Sequence, residues 1–78
     1  MNEHQKIITY FCKILTLDEK EAFNIERLEY PGWDSLRHME LCLKLQKEFN
    51  IRFEIDEVID QMNTLEEIVK LVSAKILE

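Results

Sequence analysis

Seventy-eight residues, 46% of them hydrophobic, with a single Gly and a single Pro, suit one domain and exclude both a disordered chain and a sandwich or barrel of short strands, which needs many turns. Sixteen acidic against ten basic residues give a net charge of −6; with no basic cluster, neither nucleic acid nor anionic lipid is an expected partner. Cys12 and Cys42 are too few and too far apart for a disulfide framework or a Cys-x-x-Cys metal site, so both are expected to be reduced, in or near the core of a cytoplasmic protein that binds no metal.

Glu3, His4, Gln5 and Lys6 precede any apolar run, the wrong order for a secretory signal, and no segment is expected to insert in a membrane. Asn2 and Gln5 have capping-box spacing. Behind them Ile7, Ile8, Phe11, Cys12, Ile14 and Leu15 recur on one helical face, with Lys6, Thr9 and Lys13 opposite. The stretch from Thr16 to Trp33 exceeds an ordinary connection. It is expected to hold a helical turn around Asp18 to Ala22 and then an extended run tied down by Leu17, Phe23, Ile25, Leu28, Tyr30 and Trp33.

A turn at Pro31-Gly32 leads into Gly32-Trp33-Asp34-Ser35-Leu36 and a strongly helical segment. Asp34 has the chemistry of an N-cap, and Ser35 falls in the first helical turn, where no preceding turn covers a side chain and the backbone N–H groups point outward. A phosphate ester on Ser35 would lie at the positive end of the helix dipole. Along this helix the apolar residues divide into two groups. Leu41, Cys42, Leu45 and Phe49 form a core side; Leu36, Met39 and Leu43 lie within about 60° of one another on a different side, bordered by Glu40 and Lys47. The second group is either an exposed docking face or a face covered by the long first loop. Ser35 is not expected to be a nucleophile, because no Gly-x-Ser-x-Gly elbow accompanies it and His38 falls toward the core side.

Ile51 to Ile55 alternates like a strand, but it has no second strand to pair with. The expectation is instead that the preceding helix ends near Asn50 and a short helix starts around Asp56, with Val58, Ile59 and Met62 inward. Thr64 and Glu67 then open a last helix with Leu65, Ile68, Val69, Val72 and Ile76 on one stripe. The predicted fold is all-α: a small four-helix bundle with a long first loop and a short third helix, in one domain over residues 1–78.

The Asp34-Ser35-Leu36 string, Glu40 five residues after the serine, the helix end at Phe49, the segment from Phe53-Glu54 to Val58-Ile59 and the closing amphipathic helix together resemble the acyl carrier proteins, from about Ile7 to Ile76. The resemblance implies 4′-phosphopantetheine on Ser35, donated by coenzyme A through a phosphopantetheinyl transferase, and no catalytic residue in the chain itself. It implies a monomeric carrier whose recognition helix offers Asp34, Leu36, Met39, Glu40 and Leu43 to acyl-activating, acyl-transferring or condensing enzymes. An acyl chain folding back into the bundle would meet Leu41, Leu45, Phe53, Val58, Ile59 and Met62, which equally suit ordinary core packing. Trp33 departs from the small residue often found before the aspartate in fatty acid carriers, and is read as a loop anchor. Arg37, Lys44 and Lys47 nearly balance Glu40 and Glu48, unlike the acidic recognition helix usual in fatty acid synthesis. The pathway is therefore left among fatty acid, polyketide and specialised lipid synthesis. The alternatives are an aminoacyl or peptidyl carrier, or an unmodified acidic helical adaptor that binds one protein partner.

Overall fold

The described residues form five helical segments: α1 (Glu3–Leu15), α2 (Glu19–Ala22), α3 (Ser35–Phe49), α4 (Ile55–Asp60) and α5 (Leu65–Ile76). These come from a computed structural model that describes residues 2–77. The side-chain oxygens of Asn2, Asp34 and Thr64 accept the backbone N–H three residues on, at 2.8, 2.9 and 3.1 Å, and so start α1, α3 and α5. Each satisfies one of the orphan donors of a first helical turn. The reciprocal half of the boxes is displaced: Gln5 reaches Glu19 at 2.8 Å, and Glu67 accepts from the N–H of Asn63 rather than Thr64. At the other end, α1 and α3 stop at Thr16 and Asn50, both left-handed with φ of 56° and 54°. Asn tolerates that region; for Thr, branched at Cβ, it is strained.

The core is assembled from Ile7, Phe11 and Leu15 of α1, Leu41, Cys42 and Leu45 of α3, Leu65, Ile68 and Val72 of α5, and Ala22, Trp33, Phe53 and Met62 from the segments between them. The helix α1 packs against α2, α3 and α5. The four predicted helices are α1, α3, α4 and α5, and α2 is the helical turn expected inside the first loop. The alternating segment before α4 forms no strand: Phe53 is buried and its N–H donates to Gln46 Oε1 at 2.9 Å, while Ile55 is exposed.

Three expected inward residues face solvent instead. Phe23 and Leu28 of the first loop are exposed, as is Ile59 of α4, which lies one turn after the exposed Ile55. The loop is held by a polar tie. The N–H of Arg27 donates to the Asn63 carbonyl at 2.8 Å, its Nε to Asn63 Oδ1 at 2.7 Å and its Nη2 to the Ile59 carbonyl at 2.9 Å. In α4 the face turned toward α5 is that of Glu57, whose carboxylate meets Lys75 Nζ at 2.8 Å with both side chains mostly shielded from solvent. Ile59 is thereby left on the outer side.

Candidate functional site

Ser35 is the first residue of α3 and is exposed, as are its neighbours Asp34, Leu36 and Arg37. Its position is set from both sides by buried groups. Two residues before it, Trp33 is only 2% exposed, with its ring edge-on to Phe11 at a centroid distance of 5.0 Å. Three residues after it, His38 is 4% exposed. The indole Nε1 of Trp33 donates to His38 Nδ1 at 3.1 Å, and His38 Nε2 lies 2.8 Å from the Val58 carbonyl oxygen. A carbonyl only accepts and the indole only donates, so both partners require the neutral ring with its proton on Nε2. Burial pushes the His38 pKa below its ordinary 6.5, and the positive Arg27 pushes the same way, against the opposing effect of the Val58 carbonyl. This relay stitches the loop before Ser35, the first turn of α3 and α4 together.

The turn ahead of the serine needs a close approach. Trp33 N–H donates to the Tyr30 carbonyl at 3.0 Å, and a Cβ on Gly32 would come within 2.6 Å of the Tyr30 ring. Only glycine leaves that ring undisturbed. At the helix start, Asp34 accepts from the Arg37 N–H and pairs weakly with its guanidinium at 3.4 Å, both side chains being about half exposed. The N–H groups of Ser35 and Leu36 have no carbonyl one turn earlier inside α3, so they point outward beside the serine. An anionic ester there meets the helix dipole and Arg37 on one side and Asp34 on the other. The exposed hydroxyl, outward N–H groups and nearby guanidinium fit a phosphodiester substituent.

On the flank of the same helix, Leu36, Met39 and Leu43 are 65%, 50% and 60% exposed. The long loop does not cover them, which decides between the two readings of this face. Glu40 is also exposed, so all six candidate residues (Asp34, Ser35, Leu36, Met39, Glu40 and Leu43) lie along one accessible flank. Of the residues considered as walls for a folded-back chain, Leu41, Leu45, Phe53 and Met62 are buried in the core, Val58 is half-buried and Ile59 is exposed. One residue that positions the site carried no periodic signal: Arg27, whose partners lie 32 and 36 residues away. Tyr30, one of the expected loop anchors, lies against the Gly32 turn.

Both cysteines are free; Cys42 is buried with its thiol pushed up to about 11 by burial, and Cys12 is raised chiefly by burial and then by Glu19 and Asp18. Neither has the lowered pKa of a reactive thiol. Among the described residues no group of three or more His, Cys, Asp or Glu side chains is placed to hold a metal ion, and no helix is long and apolar enough to cross a membrane.

Residues 5–72 match the family model for the phosphopantetheine attachment site. The chain is also similar to the non-reducing polyketide synthase pkdA of Emericella nidulans, with 36% identity over 72 residues. That alignment takes in 92% of this chain but only 3% of the synthase.

Proposed function

The chain belongs to the phosphopantetheine attachment-site family, the acyl carrier proteins, whose members carry 4′-phosphopantetheine covalently, and on that premise we propose that Ser35 is its attachment residue. The observation that carries this reading is a solvent-open hydroxyl on a helix start held on both sides by buried anchors. A phosphopantetheinyl transferase joins Ser35 Oγ to the phosphate of coenzyme A. The adenosine bisphosphate half leaves, and the hydroxyl proton passes to the transferase or to water. Once attached, the group supplies a thiol that holds an acyl group as a thioester.

The chain's own residues position and present. Trp33 and His38 fix the helix start so that Ser35 always faces outward. Asp34 caps α3 and, with Leu36, Met39, Glu40 and Leu43, offers a charged and apolar flank to the transferase and to acyl-activating, acyl-transferring or condensing enzymes. A flank of this size suits brief contacts, and a tether raises the effective concentration of cargo at each active site. Catalysis lies with the partners: both ring nitrogens of His38 are engaged inside the fold, so it is not available as a base for Ser35.

Among fatty acid, polyketide and specialised lipid pathways, the similarity to a polyketide synthase favours polyketide assembly. The near-balanced charge of α3 argues against fatty acid synthesis and does not separate the other pathways. We place the protein in the cytoplasm as a monomer, with residues 1–78 forming one carrier domain. Its two unpaired cysteines suit a reducing compartment. The test is intact mass after incubation with coenzyme A and a broad-specificity transferase. A gain of one phosphopantetheine supports the carrier; an unchanged mass favours the unmodified adaptor.

A further inference from the structure

A groove of about 400 Å³ runs between α1 and α3, with Tyr10, Ile14 and Leu43 as its apolar floor and Lys13, Lys44, Lys47 and Glu40 at its rim. Three of the chain's ten basic residues thus gather from two helices around one apolar depression, on a molecule whose net charge is −6. Lys44 is already neutralised: it pairs with Glu48 at 3.2 Å and lies 4.9 Å from the centroid of the Tyr10 ring, whose hydroxyl donates to the same carboxylate at 3.0 Å. Its stem and Tyr10 extend the floor. Lys13 and Lys47 are both exposed, and no ion pair engages either of them among the described residues. They stand as two free cations beside an apolar slot, against the single exposed carboxylate of Glu40, so the rim keeps a net positive charge.

We propose that this groove receives an acidic amphipathic segment of a partner enzyme, with an aliphatic or aromatic side chain on Leu43 and Ile14 and carboxylates facing Lys13 and Lys47. Charge complementarity selects this occupant. The excess of negative charge elsewhere repels an acidic segment, so the basic rim is the face on which one can settle, and it sets the orientation of the encounter. Lysine stems widen the apolar contact while their charged ends remain in water. Leu43 lies eight residues beyond Ser35, about 12 Å along the helix axis. A partner seated here therefore holds its active-site mouth close to the loaded serine. The inference rests on the carrier reading and names the partner chemistry for one end of the same flank.

The test uses the protein loaded at Ser35, isotopically labelled, and two synthetic amphipathic helical peptides with the same leucine face, one flanked by glutamates and the other by lysines. The glutamate peptide is expected to shift the resonances of Tyr10, Ile14, Leu43 and Lys47, and to weaken several-fold between about 50 mM and about 500 mM salt. The double variant Lys13→Glu/Lys47→Glu, altered only at exposed positions, is expected to lose roughly tenfold in affinity for the glutamate peptide and to gain for the lysine peptide. Equal or tighter binding of the lysine peptide to the unaltered protein overturns the proposal, as does a response confined to residues outside the groove. Binding of phosphatidylglycerol vesicles through the groove in place of the peptide also overturns it. Failure of the unaltered protein to accept phosphopantetheine sinks the carrier reading itself, whereas a loaded protein whose groove ignores the glutamate peptide sinks this inference alone.

Discussion

Replacing Trp33 by Phe tests the relay that fixes the start of α3. The smaller ring keeps an aromatic face for Phe11 but removes the indole donor that reaches His38 Nδ1 at 3.1 Å. With His38 only 4% exposed, its acceptor nitrogen is left buried and unpartnered, a loss of about 1–3 kcal/mol. The volume no longer filled by the indole adds about 1 kcal/mol. The expected destabilisation is therefore about 2–4 kcal/mol, and a domain of this size loses about 4–8 °C in melting temperature for each kcal/mol. Thermal and urea unfolding followed by circular dichroism give the magnitude. A double-mutant cycle with His38→Leu isolates the pair. In the double variant neither nitrogen needs a partner on the Trp33 side, so the two losses are expected to be less than additive by about 1 kcal/mol or more. The Val58 carbonyl loses its donor in His38→Leu and in the double variant alike, so that loss cancels in the cycle. Stability of Trp33→Phe within about 0.5 kcal/mol of the parent protein, or nitrogen shifts showing the His38 proton on Nδ1, would refute the relay.

Other consequences follow from the same coordinates. Met39→Glu changes a half-exposed side chain on the docking flank; it is expected to slow transfer to and from partner enzymes while leaving stability within about 0.5 kcal/mol, and a large loss of melting temperature would mean the face is buried. Thr16→Gly relieves a branched residue held at φ 56° and is expected to stabilise the fold by about 1 kcal/mol in urea unfolding; a destabilised variant would contradict the left-handed end of α1. His38 gives stability a pH dependence whose sign is fixed by its lowered pKa. Below the ordinary 6.5 the unfolded chain takes up a proton that the folded chain still refuses, so stability is full above that value, falls as pH drops below it, and levels off once the folded value is passed. Urea midpoints measured across this window are expected to decline in the parent protein and to flatten in His38→Gln; equal slopes would place the proton elsewhere.

Local chemistry was the legible part of the sequence. Asn2, Asp34 and Thr64 start helices because a short side-chain oxygen three residues ahead of an N–H is a purely local arrangement. The stripes of α1 and α5, the inward turn of His38 and the outward turn of Leu36, Met39 and Leu43 follow from about 100° per residue once one face is assigned to the core. Apolar character misled where periodicity was weak. Phe23 and Leu28 have the character of loop anchors and Ile59 that of an inward residue of α4, yet all three are exposed and the first loop is held by Arg27, an ionisable residue whose partners on Asn63 and Ile59 are remote in sequence. Only the folded chain brings those groups together. Around α4 the pattern held in part: Val58 packs against the core and Met62 is buried, while Ile59 stays exposed and Glu57, paired with Lys75, turns toward α5. The Trp33 anchor is legible from its place among the spaced apolar residues of the loop, but its bond to His38 depends on ring orientations that no spacing rule contains.

Fragmentation mass spectrometry of the protein after treatment with coenzyme A and transferase tests the central claim most directly, because it reports which residue bears the group as well as whether it is there. The account predicts one phosphopantetheine, found on the peptide spanning Trp33 to Arg37 at Ser35, and a Ser35→Ala variant that folds normally and stays unmodified. A group located on any other side chain, or one that persists in Ser35→Ala, would contradict it.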